Sequence, residues 1–194
     1  MRGNRFQTTP KLIINKIAIQ ILQALSFLKK HSIVHCDIKP ENVMFREENK
    51  TGLKIIDVGS GCFESKQLYT YIQSRFYRAP EIFFGIRYTP AIDMWSFGCV
   101  LAELHKGFPL FPGKDEGDQM LMFMEFLGKP PIYLLEKAPR RKKFFDPYYE
   151  CIIAQKKKRR SKSVEEILES EDKLFIDLIK RCLEWDPAHR ITPE

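Results

Sequence analysis

The sequence predicts a mainly helical domain carrying one small β-hairpin. Apolar residues recur at helical spacing in several stretches, two of them opening on Thr-Pro. Two short strand-like runs stand on either side of a polar connection. Of the 194 residues 44% are hydrophobic, ample for one buried core. No internal repeat is present.

Thr9-Pro10 marks the first helix, with a hydroxyl for the N-cap and a proline whose missing N–H costs nothing at the first helical position. Ile13, Ile14, Ile17, Ile21, Leu25 and Leu28 follow at helical spacing, and Lys29-Lys30 suits the negative end of the dipole. Asn42 to Phe45 and Leu53 to Ile56 read as strands, with Arg46 to Gly52 closing a hairpin. Few helix signals occur from Asp57 to about Tyr88, and a loop is expected there. Thr89-Pro90 opens a second helix, Ala91 to Leu104, apolar nearly all round and so buried mid-fold; Gly107 closes it. Gly117 to Leu127, capped by Gly128 and stopped by Lys129-Pro130-Pro131, is a third. Residues 131–162 are basic, with prolines and interspersed aromatics but no period, and an insert or long loop is expected. Ser163 and Glu166 make a capping box for a short helix, and Lys173 to Leu183 supplies another. Thr192-Pro193-Glu194 is the start signal of one more helix.

The formal net charge of +7 has an address. Between Lys137 and Lys162 eleven Lys and Arg face only Asp146 and Glu150, a local balance of +9 that leaves the rest at −2. The run from Lys156 to Lys162 fits nuclear import or nucleic-acid contact as well as a solvated insert. Nucleic acid is the less favoured partner. Five cysteines (Cys36, Cys62, Cys99, Cys151, Cys182) are odd in number, widely spaced and without a C-x-x-C pair. Free thiols in a reducing cytoplasm or nucleus are expected, not a disulfide framework or zinc site. His31 and His35 lack a third ligand. Charges break the apolar stretches, so no membrane span is expected, and Met1 to Arg5 leads into no apolar signal core.

The decisive stretch is His35-Cys36-Asp37-Ile38-Lys39-Pro40-Glu41-Asn42. Phosphoryl transfer demands positioning and charge neutralisation more than covalent chemistry. An aspartate orients the incoming hydroxyl, a lysine balances charge on the transferred group, and an amide oxygen ligates Mg²⁺. Asp37, Lys39 and Asn42 supply these within six residues. Asp57-Val58-Gly59 follows an apolar strand, placing a second carboxylate for the metal, and Arg78-Ala79-Pro80-Glu81 comes later. Each tripeptide is weak alone; three in this order resemble the protein-kinase signature.

The chain resembles the C-lobe of the CMGC kinases, and within them the dual-specificity tyrosine-regulated (DYRK) family. His35-Cys36-Asp37, Ser60-Gly61-Cys62-Phe63-Glu64 and the segment from Tyr69 to Glu81 carry the resemblance. Ile92 to Cys99, Asp115 to Gln119 and Cys182 to Pro187 continue it. It implies a protein-kinase-like fold, mainly α with a small β-hairpin. It implies ATP and Mg²⁺ as cofactors, and phosphorylation of protein Ser/Thr with a preference for proline after the target. It implies that Asp37 and Lys39 are catalytic, that Asn42 and Asp57 hold metal, and that Lys39, Glu41, Asn42, Met44, Ile56 and Asp57 line the ATP site. Met44 and Ile56 would be floor and back of the adenine pocket, though either is equally plain core. Tyr71 would be the self-phosphorylated tyrosine, with Arg75 and Arg78 as partners, since Cys36 leaves the usual catalytic-loop arginine absent. Asp93 would tie the catalytic loop to the central helix, and Glu81 with Arg190 would anchor the activation segment.

Two departures stand out. Val58 replaces the usual Phe and fills less volume against the other lobe. No Gly-rich loop, phosphate-binding strand lysine, helix glutamate or hinge is present. The expectation is a C-lobe with its N-lobe absent and its final helix truncated, unable alone to bind ATP productively. A rival reading is a non-catalytic kinase relative acting through protein–protein contacts.

Overall fold

The computed structural model describes residues 8–46, 52–154 and 162–194. Helix α1 (Lys11–Lys30) buries Ile14, Ile17, Ala18, Ile21 and Leu25 along one stripe. That stripe packs on α3 (Ala91–Lys106) and on strands β1 (Ile33–Val34) and β3 (Leu53–Ile55). Ile13, read as part of the stripe, lies on the exposed side with Leu12, Ile19 and Phe27. The Thr9 hydroxyl makes no cap; Pro10 takes that position, and the Thr9 N–H donates instead to the Leu104 carbonyl at 3.0 Å. By length and composition α1 could cross a membrane, contrary to the sequence reading. Its buried stripe against α3 is what a core helix presents.

Helix α3 is the centre. Every residue from Ile92 to Ala102 is buried, as an all-round apolar helix requires. Gly107 ends it at φ 78°, the left-handed cap glycine supplies cheaply. Gly98 lets α7 (Lys173–Cys182) approach closely: a Cβ there would stand 2.7 Å from that of Cys182. Around α3, Trp95 stacks on Phe111 at 5.9 Å and meets Phe123 edge-on at 4.9 Å, while Phe83 meets Phe123 at 5.5 Å.

The expected hairpin forms between β2 (Val43–Phe45) and β3, antiparallel with Val43 opposite Ile55. Gln20 of α1 accepts the Leu53 N–H at 2.7 Å and holds it down. Within the expected loop lie strand β4 (Cys62–Phe63), which pairs with β1, and helix α2 (Pro80–Phe84). Helix α4 (Glu116–Leu127) starts on Asp115, whose carboxylate accepts the Asp118 N–H at 2.8 Å. Helix α6 (Val164–Leu168) has the expected capping box.

The basic stretch expected as an insert or loop is partly core. Helix α5 (Ile132–Glu136) opens it, and Leu134, Leu135, Ala138, Phe144 and Phe145 are buried. Irregular backbone between them hides any period. Most of the basic run, Lys156 to Ser161, lies outside the described residues. The described residues Ile191 to Glu194 are not helical.

Candidate active site

Asp93, in the first turn of α3, is buried, and its carboxylate accepts the N–H groups of His35 (2.7 Å) and Cys36 (3.1 Å). This fixes the loop running from β1 to the 3₁₀ turn Pro40–Asn42. It also holds Cys36 at φ 68°, a conformation costly for a non-glycine residue. The His35 ring accepts the Asp37 N–H on Nδ1 at 3.3 Å and donates from Nε2 to the Ile56 carbonyl at 3.2 Å, the tautomer those partners select. Burial lowers its pKa, so the ring is neutral.

Three side chains of that loop, Asp37, Lys39 and Asn42, meet Ser74 from a later segment. Asp37 Oδ2 accepts from Lys39 Nζ at 2.6 Å and from Asn42 Nδ2 at 3.2 Å, and Asn42 Nδ2 also bonds the Asp37 carbonyl at 2.8 Å. Asp37 Oδ1 accepts the Ser74 hydroxyl at 2.8 Å and its N–H at 3.2 Å; Lys39 donates to the same hydroxyl at 3.2 Å. Burial pushes the Asp37 carboxyl up, but the bonds from Lys39 and Ser74 outweigh it and hold the pKa below the ordinary carboxylate value. The bond to Asp37 raises the Lys39 pKa in turn. Asn42 turns its nitrogen to Asp37, so its oxygen is the end aimed elsewhere. The Ile56 N–H donates to the Asn42 carbonyl at 2.9 Å, which brings Asp57, next in the chain, beside Asn42. Asp57 adopts φ 62°, ψ 68°, is exposed, and lies close enough to act electrostatically on His35 and Lys39. Asp37, Lys39, Asn42 and Asp57 therefore share one locality.

Removing Asp93 orphans two buried N–H groups, at about 1–3 kcal/mol each. Asp93→Ala is expected to lower the unfolding free energy by that order and to slow any reaction relying on Asp37. Burial raises the Asp93 pKa to about 7, against the pull of the two N–H groups. Its folded value thus exceeds the unfolded one, ~3.9. Its contribution to stability is complete below that value and is lost as pH rises through about 7. Denaturation midpoints against pH check this: Asp93→Asn should lack that component of the slope.

The segment from Tyr69 to Glu81 is held by groups of two kinds. Gln73, buried at φ 67°, donates from Nε2 to Ile92 O (3.1 Å) and Ser96 Oγ (2.8 Å) and accepts the Ala79 N–H at 2.9 Å. Glu81 and Arg190 form a fully buried bidentate pair, 2.8 and 2.9 Å, with Arg190 also bonding the Ala91 and Glu184 carbonyls. Arg78 Nη1 donates to the Tyr71 hydroxyl at 2.5 Å, its guanidinium 4.0 Å from the ring centroid. Arg75 does not join it: its guanidinium donates to the Lys114 carbonyl at 2.5 Å and reaches that of Gly113 at 3.5 Å. Loop carbonyls compete for the cation, so nearness in sequence to Tyr71 does not decide the pairing.

Glu41 lines an open groove of about 440 Å³ with Lys39, Ser74, Arg75, Tyr77 and Glu103, on the side of the activation segment. Met44 is 52% exposed on β2, facing the same way as Lys54, and Ile56 is half-buried. Met44 is therefore surface, not core. Val58 is 68% exposed. Sequence reasoning missed Ser74 and Gln73, whose partners Asp37, Ile92 and Ser96 lie 19 to 37 positions away; no local pattern marks them.

Comparison with known sequences adds a decisive fact: a family model described as "Protein kinase domain" matches residues 4–194. The chain belongs to the protein kinase domain family. Within the kinases it falls in the dual-specificity tyrosine-phosphorylation-regulated group. It is 46% identical to "Dual specificity tyrosine-phosphorylation-regulated kinase 2" of Drosophila melanogaster, over 100% of this chain and 28% of that protein. Against the human kinase 3 of the same name it is 47% identical, covering 37% of that protein, and against human kinase 4 it is 43% identical, covering 38%. The kinase chain thus spans between about a quarter and two-fifths of the length of these relatives.

Proposed function

We propose that this kinase chain supplies the catalytic loop and activation segment for transfer of the γ-phosphoryl group of MgATP to protein serine or threonine, and for phosphorylation of its own Tyr71. The observation that supports this best is the gathering of Asp37, Lys39, Asn42 and Ser74, with Asp57 beside them. The Asp37 carboxylate stays ionised and accepts the acceptor hydroxyl's proton as its oxygen bonds phosphorus and the bond to the leaving diphosphate breaks. Lys39, already paired to Asp37, neutralises charge on the group in transit. The Asn42 amide oxygen and the Asp57 carboxylate fit Mg²⁺, a hard cation that takes a few protein oxygens and completes its shell with phosphate and water. Among the described residues no group of three or more His, Cys, Asp or Glu gathers into a metal cage. Such a site needs the nucleotide to complete it. The metal, when bound, supplies charge neutralisation at the β- and γ-phosphates.

Glu41 and Glu103 line the groove beside Lys39, so basic side chains near the target residue would be favoured there. The test is incubation of the intact protein with labelled ATP and Mg²⁺, followed by phosphoamino-acid analysis and mass mapping. Phosphoserine or phosphothreonine on a substrate, with phosphotyrosine at position 71, is the expected result. A folded protein that transfers no phosphate would overturn the reading and favour the non-catalytic alternative.

A further inference from the structure

The Tyr71 hydroxyl sits among more charges than a surface tyrosine needs. Arg78 bonds it directly, and the Arg140 guanidinium lies 5.3 Å from the ring centroid. Glu116, at the start of α4, is near enough to act on the ionisation of the hydroxyl. Arg140 in turn grips Glu116 with Nη2 at 3.0 and 3.2 Å, and Lys143 pairs with the same carboxylate. The Glu116 side chain is only 12% exposed, so a desolvated anion is held here by two cations beside a tyrosine oxygen.

Arg140 is built into this place. Its N–H donates to the Phe84 carbonyl at 3.0 Å and its Nη1 reaches the Ile82 carbonyl at 3.4 Å. Its stem crosses Gly85, the left-handed residue ending α2, where an added Cβ would meet Arg140 Cγ at 3.0 Å. A larger residue there would push the guanidinium off the ring.

We propose that Arg140 and Arg78 together form the receiving site for a phosphate on Tyr71, and that Glu116 is the anion this phosphate displaces from Arg140. A phosphate brings close to two negative charges and three acceptor oxygens to a hydroxyl that already touches Arg78. Glu116 and that phosphate cannot share Arg140 without like-charge repulsion. Lys143 is positioned to keep Glu116 neutralised when Arg140 swings to the stronger anion. Unphosphorylated, the site is therefore closed by an internal carboxylate; phosphorylated, Arg140 links the activation segment to the stretch after α5.

This rests on the reading of Tyr71 as a phosphorylation site, so the test supplies the phosphate independently. Phosphotyrosine is incorporated at position 71 during translation of the intact protein. The charges facing it are Arg78, Arg140 and Glu116, with Lys143 behind Glu116 and Arg75 beyond Arg78. ³¹P NMR then gives the second phosphate pKa. Relative to the unsubstituted sequence, Arg140→Ala raises it and Glu116→Gln lowers it, while Arg140→Lys falls between. Removal of the phosphate by an added tyrosine phosphatase speeds up about tenfold in Arg140→Ala, the loss of one charge-assisted bond. An unchanged phosphate pKa and rate in both Arg140→Ala and Arg140→Lys would overturn the proposal. If the unsubstituted protein gains no phosphotyrosine from MgATP, the self-phosphorylation reading fails while this measurement still reports on Arg140.

Discussion

Asp37→Asn in the intact protein is expected to cut phosphoryl transfer by about 10²–10⁴-fold, the range for loss of a positioned general base. Asparagine keeps the shape and one carbonyl acceptor, so the Ser74 hydroxyl retains a partner. What disappears is the negative charge that pairs with Lys39 at 2.6 Å and takes the acceptor proton. Nucleotide affinity should change little, because the Asn42 oxygen and Asp57 do not depend on that charge. The pH profile gives a second reading. Bonds from Lys39 and Ser74 depress the Asp37 pKa despite burial, so the acidic limb of the rate falls below the ordinary aspartate value, ~3.9. Initial rates decide the matter. A variant retaining more than a tenth of the parent rate would remove Asp37 from the chemistry.

The largest loss of stability is expected for Arg190→Ala. Glu81 and Arg190 are both wholly buried, and truncating one leaves an uncompensated charge in the core at about 3–5 kcal/mol. Two carbonyls, of Ala91 and Glu184, lose their donor at the same time. Replacing both members by apolar residues, as in Glu81→Leu with Arg190→Met, removes the stranded charge and should recover much of the loss. Chemical denaturation of the two single variants and the double variant closes the cycle. A single-variant cost below about 1 kcal/mol would mean that water reaches the pair after all.

The sequence made the long helices legible because burial and periodicity agree there. The stripe of α1, the all-round apolar α3, and the Gly107 and Gly128 ends needed no tertiary knowledge. Helix α2 escaped because five residues are too few for a period, although Pro80 at its first turn and Gly85 at its end carry the proline-first, glycine-last pattern. The β1–β4 pairing joins two-residue strands 28 positions apart, and alternation cannot show over so short a run. Within the candidate site, residues crowded into one loop were readable: Asp37, Lys39 and Asn42 are local. Ser74 and Arg140 were not, because only the folded chain brings the first to Asp37 and the second to Tyr71. Arg75 shows the converse: four positions from Tyr71 in sequence, it is turned toward the loop before α4.

The two backbone N–H groups just before Asp37, those of His35 and Cys36, both donate to Asp93 in the buried first turn of α3. The catalytic loop consequently has no private route to disorder. Warming should silence phosphate transfer and dissolve the helical centre along a single curve, with no milder temperature at which an intact core carries a slack, idle loop.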